Sequence, residues 1–271
     1  MAGFDFGDAR FDLKNERDRA ILTFLLSQAL FGEATGVYCG RSLYAAETLE
    51  AAQFYVRQAR QELNHLQLFA EIFRALELKP VPAHWVIRVL AAHNDYYPLK
   101  VVMEHALGEG MVLDIFRDVL MQTLPDDDER VPGIKKKLRV ICREEEEHVA
   151  WGEKETRRVL AERPGLKRAF HGLLLLQLKL VPLAVKGLKE QAPDHPVLRK
   201  LDAFVAFVQT RVREQGRELG FVPEKEPSKV EEALAIGAGL ALLARSQVAR
   251  SKSRLDKSYL RELGFAEERA H

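Results

Sequence analysis

Cysteine is scarce: Cys39 and Cys142 are the only two in 271 residues, too few for a disulfide framework. Charge of one sign is also missing. Lys and Arg number 41 against 40 Asp and Glu, and a formal net charge of +1 gives no general attraction to nucleic acid, so no nucleic-acid partner is expected. No apolar run is long enough to cross a bilayer. The most apolar stretches, 169–188 and 233–244, either contain Lys179, Pro182 and Lys186 or fall short of the roughly 18 residues that a span requires. The opening MAGFDFGDARFDLKNERDRA has no basic region followed by an apolar one, and the expected location is cytoplasmic. Period-two alternation is absent throughout, which leaves no half-buried strand.

What is present is apolar residues, 47% of the chain, recurring at three and four between Pro- or Gly-bearing breaks. The expected fold is all-α. Four long helices are predicted over about 16–45, 49–77, 97–123 and 133–162, with Thr48 a good cap for the second and Pro98 well placed early in the third. A short helix is predicted near 85–93, and the connections are long enough to reverse the chain's direction. Residues 1–163 thus form a four-helix bundle and 164–271 add further helices to the same structural domain, ending in a polar tail. Those helices cover 165–191, apolar nearly all round and kinked by Pro182, then 196–219, then a segment led by Ser228. Burial against the bundle is the expected use of the apolar helix; a homodimer contact or a membrane surface is the lesser one.

Two of the long helices carry Glu-x-x-His: Glu62 and His65 in QELNHLQ, and Glu145 and His148 in EEEEHVAW. Residues three apart share a helix face, so each motif offers a carboxylate and an imidazole to one side. Helical register selects two more carboxylates. Glu33 has Leu26, Ala29, Leu30, Gly36, Val37 and Gly40 as face-mates, and Glu109 has Val102, His105, Ala106, Val112, Leu113 and Phe116. Glutamates in such company are costly to bury unless paired. Register also sets Glu104 aside, since Lys100 shares its face, and turns Glu144 partly toward water, so that Glu144→Ala is expected to leave metal pairing intact. Four carboxylates balance two divalent ions, whereas without metal the cluster would repel itself. The predicted metal ligands are therefore Glu33, Glu62, His65, Glu109, Glu145 and His148. His105 is a candidate extra ligand, with simple packing the expected role. Tyr38 and Tyr55 lie near the same face and are candidates to carry a radical or to bind an oxygen species.

On these residues, in LFGEATG, QELNHLQ, LGEGMVL and EEEEHVAWGE, the chain resembles the ferritin-like di-iron carboxylate superfamily across roughly 16–162. The separations between successive glutamates, 29, 47 and 36 residues, look most like the aldehyde-deformylating and related oxygenases, with bacterioferritins not far away. The resemblance implies that Glu62 and Glu145 bridge two iron ions, or manganese or a mixed pair, with Glu33 and Glu109 terminal and one histidine on each metal. It also implies a dioxygen-activating oxygenase or oxidase acting on a largely apolar small molecule. No flavin or iron–sulfur motif accompanies the site, so a separate electron donor is expected. Leu26, Ala29, Gly36, Gly40, Ala59, Phe69, Val112, Phe116 and Gly152 are expected to line an apolar cavity. A ferritin-type ferroxidase and a helical interaction protein with a structural metal are the rival readings.

Overall fold

The helices begin where the sequence offers caps. In the computed structural model, which describes residues 3–90 and 96–248, Asn15 accepts hydrogen bonds from the backbone N–H groups of Arg17 and Asp18 and opens α1, Glu16–Gly36. A tighter 3-10 stretch, Val37–Tyr44, replaces the expected continuation to residue 45. Glycine is a poor helix former, and Gly36 and Gly40 flank the start of this change of winding. Thr48 caps α2, Leu49–Ala75, by accepting from the Ala51 N–H. The short helix α3, Trp85–Leu90, follows, and its predicted end at 93 lies outside the described residues.

The next helix, α4 (97–123), is continuous but wound unevenly, with π-helical turns over Lys100–Gly108 and Ile115–Leu120. α5 runs Val131–Glu162 and ends before Pro164. α6 (Lys167–Gln191, with Pro182 inside it), α7 (Pro196–Glu218) and α8 (Lys229–Val248) complete the described chain. Ser228 and Glu231 cap α8 reciprocally. The predicted tail beyond residue 248 lies outside the described residues. Among the described residues no strand occurs, and no helix is long and apolar enough to cross a membrane.

Side-chain pairs give the helix directions. Glu50–Lys154, His65–Glu144 and Glu71–Lys137 set α2 antiparallel to α5, whereas Tyr55–Tyr97 and Phe69–Phe116 set α2 parallel to α4. The connection through α3 therefore returns the chain to the end from which α2 started. Two apolar clusters result. The larger holds Leu22 and Leu26 of α1, Phe69 and Ile72 of α2, Phe116 of α4 and Leu138 and Ile141 of α5. Phe170, Leu173 and Leu174 of α6 and Phe204 and Val208 of α7 belong to the same cluster, so one core joins both parts of the chain. The smaller cluster holds Cys39, Phe54, Tyr55, Tyr97, Val101, Trp151 and Val159. Along α2 and α5, a band of buried glutamate and histidine lies between the two.

Candidate metal centre

Glu33, Glu62, His65, Glu145 and His148 are each no more than 3% exposed. The His65 Nδ1 atom lies 2.8 Å from Glu33 Oε2, 3.2 Å from Glu145 Oε1 and 3.6 Å from Glu62 Oε2. The His148 Nδ1 atom lies 3.2 Å from Glu145 Oε2 and 3.7 Å from Glu62 Oε1. Glu62 and Glu145 thus each present one oxygen to each imidazole. Glu33, Glu62, His65 and Glu145 form a buried group able to hold a metal ion, and Glu62, Glu109 and His148 form a second that shares Glu62. All six residues singled out in the sequence are brought together. Glu109 is the least enclosed of them, its side chain 12% exposed.

Each histidine is fixed from behind by a residue that the sequence reading did not assign to the site. Glu144 Oε2 lies 2.8 Å from His65 Nε2, and Gln61 Oε1 lies 3.0 Å from His148 Nε2. Glu144 and Gln61 are placed to accept from the two Nε2–H groups, which would leave each Nδ1 to a metal once its own proton is displaced. Glu144 faces partly toward water as register predicted, its side chain 16% exposed, and from there it also reaches His65. The signal was present: the two motifs read Gln61-Glu62-x-x-His65 and Glu144-Glu145-x-x-His148. In antiparallel helices, the residue before each ligand glutamate faces the histidine of the other motif.

Gln58, one turn before Glu62, donates from Nε2 to Glu62 Oε1 at 3.2 Å and to Glu109 Oε1 at 3.0 Å. Its own buried Oε1 has no partner. Glu104, excluded by an ideal 3.6-residue register, lies with His105 and Glu109 in a third group of metal-ligating type. The π-helical winding over 100–108 bonds residues five apart and so turns Glu104 toward Glu109. Glu104 is also paired with the buried Lys100 at 2.5 Å. His105 stays in the packed role: its Nδ1 is 3.7 Å from Glu109, but its Nε2 is buried without a partner, and its ring meets Phe54 and Trp151. Tyr55 is fully buried against His105. The side chain of Tyr38 lies outside the described residues.

The charges are poised for a cation. Burial and the neighbouring Glu62 push the Glu33 carboxyl well above its ordinary range, against the hydrogen bond from His65. Burial, Glu145 and Glu62 do the same to Glu109. Burial opposes charge on Glu145 too, yet His148 and His65 hold it well below the usual carboxylate range. Burial alone would keep His65 neutral, but Glu145, Glu33 and Glu62 raise it strongly, and Glu145 and Glu62 raise His148. Metal-free, the cluster holds protons where the carboxylates would otherwise repel; divalent ions would replace them. The donor set of carboxylates and imidazoles fits such ions.

The expected cavity lining packs instead. A Cβ on Gly36 would lie 2.6 Å from the Glu62 carboxyl carbon, and one on Gly152 would lie 2.6 Å from the Ala106 backbone nitrogen. These glycines allow close approach rather than leaving open space. Leu26, Phe69 and Phe116 are fully enclosed core residues. Two hollows lie elsewhere, one of about 470 Å³ beside Pro182, Leu183 and Lys186 and one of about 30 Å³ beside His171 and Arg213, and neither is lined by the six candidate residues. Comparison of the chain with models of known protein families gives no match, and comparison with curated proteins gives none either.

Proposed function

We propose that the chain is a ferritin-like di-metal protein that uses a pair of iron ions to activate dioxygen for the oxidation of a largely apolar small molecule. One observation carries the reading: two buried glutamates from two helices each offer one oxygen to each of two histidines, inside a box closed by Glu33 and Glu109. The chain through α3, which lets α2 and α4 run parallel, supports this reading, because ferritin-like bundles have one long crossover connection. Glu62 and Glu145 would bridge the metals, with Glu33 and His65 on one and Glu109 and His148 on the other. Bound there, the metals would supply dioxygen reduction. The protein's own part is to fix the two imidazoles through Glu144 and Gln61, to neutralise the ions with four carboxylates, and to exclude water with the apolar clusters on either side.

The electrons would come from a separate carrier. A second reading, a ferroxidase with iron as substrate, is favoured by Glu104 and Glu109, partly exposed carboxylates beside the buried ligands that would admit ions from solvent. Anaerobic loading with ferrous iron followed by oxygen separates them. Oxidation that stops at about two irons per chain supports the cofactor reading. Oxidation far beyond that supports the ferroxidase, and tight retention without oxygen chemistry leaves a structural metal.

A further inference from the structure

The smaller apolar cluster forms a continuous series of ring contacts leading away from the metal ligands. Phe54 meets His148 edge-on at 5.8 Å and stacks on Trp151 with centroids 3.7 Å apart and planes 7° from parallel. Trp151 meets Tyr55 at 5.6 Å, and Tyr55 meets Tyr97 at 6.4 Å, both edge to face. The Tyr97 hydroxyl donates to Glu155 Oε1 at 2.5 Å. That oxygen also accepts from Arg158 Nε and Nη2 at 2.8 and 2.6 Å, and Arg158, 28% exposed, also pairs with Glu47 and with the exposed Glu162. Apart from His148, none of these residues is needed to hold a metal.

The two tyrosines are not equivalent. A phenol that loses one electron becomes a far stronger acid than any carboxylic acid, so a buried tyrosine gives up an electron readily only where a base takes the proton. Tyr55 has no such base, since its hydroxyl oxygen is buried without a hydrogen-bond partner. Tyr97 has Glu155 in place. At rest the phenol keeps its proton, because burial and the adjacent Glu155 both raise it far above its ordinary value.

We propose that Tyr97 is a redox-active residue that relays single electrons from the α5 surface to the metal pair, with Glu155 taking and returning its proton and Trp151 as the intervening ring. The oxidant is the metal pair after oxidation by dioxygen, so the relay rests on the di-iron reading. The reductant is a one-electron carrier of the flavin or iron–sulfur class. In the first step an electron passes from Tyr97 through the Tyr55, Trp151 and Phe54 contacts, the O–H bond breaks, and the proton moves to Glu155. A neutral tyrosyl radical remains, and the metal pair is reduced by one electron. In the second, the carrier returns one electron to Tyr97, the proton comes back from Glu155, and the O–H bond re-forms. The net change is one electron moved from carrier to metal.

Two measurements on the full-length chain test this. In the first, metal-free and iron-loaded samples are photo-oxidised with ruthenium tris-bipyridine and persulfate, frozen, and examined by electron paramagnetic resonance. A tyrosyl signal narrowed by ring-deuterated tyrosine, lost in Tyr97→Phe and reduced about 10²-fold in early yield in Glu155→Gln is expected. Phe keeps the ring that packs on Tyr55, and Gln keeps an acceptor for Arg158, so both variants retain the packing. A spectrum unchanged in Tyr97→Phe overturns the proposal. In the second, the ferrous-loaded protein is mixed with dioxygen and ferrocyanide in a stopped-flow apparatus, with iron content measured on every sample. Ferrocyanide oxidation slowed at least roughly tenfold in Tyr97→Phe at unchanged iron content supports the relay. Full iron content with unchanged rates refutes the relay and leaves the metal reading standing, whereas failure to hold iron refutes both.

Discussion

Removing the carboxylate behind His65 should weaken metal binding more than removing the amide behind His148. Glu144 Oε2 sits 2.8 Å from His65 Nε2 and carries charge, whereas Gln61 Oε1 sits 3.0 Å from His148 Nε2 and is neutral. A hydrogen bond to a charged partner contributes about 1.5–3 kcal/mol and a neutral one about 0.5–1.5 kcal/mol. At 1.4 kcal/mol per tenfold, Glu144→Ala should cost roughly 10–100-fold in affinity, the usual size of such effects, and Gln61→Ala roughly 2–10-fold. Glu144→Gln, which keeps an acceptor oxygen and drops the charge, should fall between the two. Anaerobic competition for ferrous iron between each variant and a chelator measures all three. Affinities within about twofold of the parent for Glu144→Ala, or a larger loss from Gln61→Ala, would refute the assignment of charge-supported ligation to His65.

Other perturbations act through packing and protonation. Gly36→Ala should lower iron occupancy by about tenfold or more without lowering metal-free thermal stability, because the added methyl meets the Glu62 carboxylate while alanine favours the helix. Gly152→Ala, by contrast, presses on the α4 backbone at Ala106 and should lower the melting temperature of metal-free and loaded protein alike, by about 1–3 kcal/mol in stability. The metal-free chain should lose stability as pH rises. Glu33 and Glu109 are raised above their ordinary 4.5, and His65 and His148 above 6.5, so above those values the folded state holds more protons than the unfolded one. Glu145, held low, works in the opposite sense only below 4.5, whereas His105 and His171, lowered by burial, oppose the fall up to about 6.5 and make it shallower without outweighing the four raised groups. Thermal melts from about pH 5 to about pH 8 should therefore descend without metal, and saturating metal should remove the slope; a metal-free stability that climbs over this range would contradict these shifts.

The buried clustering of the candidate residues was legible because both motifs and Glu33 sit on regularly wound helices, where a three- or four-residue step maps directly onto a face. The helix limits were legible through their caps at Thr48 and Ser228. Three things were not. Glu104 was hidden by the π-helical turns of α4, since a five-residue repeat shifts every face that a 3.6-residue register assigns. Glu144 and Gln61 were hidden because their partners belong to another helix, and only the antiparallel pairing of α2 with α5 brings them across. Gly36 and Gly152 suggested space, but a missing side chain equally allows a neighbour to come closer, and here it does.

The band of glutamate and histidine between the two apolar clusters divides the molecule mechanically. Each cluster coheres through its own contacts, whereas the plane between them is held by hydrogen bonds among groups that burial penalises. If that plane is the weakest part of the metal-free protein, amide exchange along 55–69 and 142–151 should report two weakly coupled folding units. Ions bound to ligands from four helices would tie those units into one cooperative transition. Occupancy of the site would then be readable from the sharpness of unfolding alone, before any chemistry is assayed.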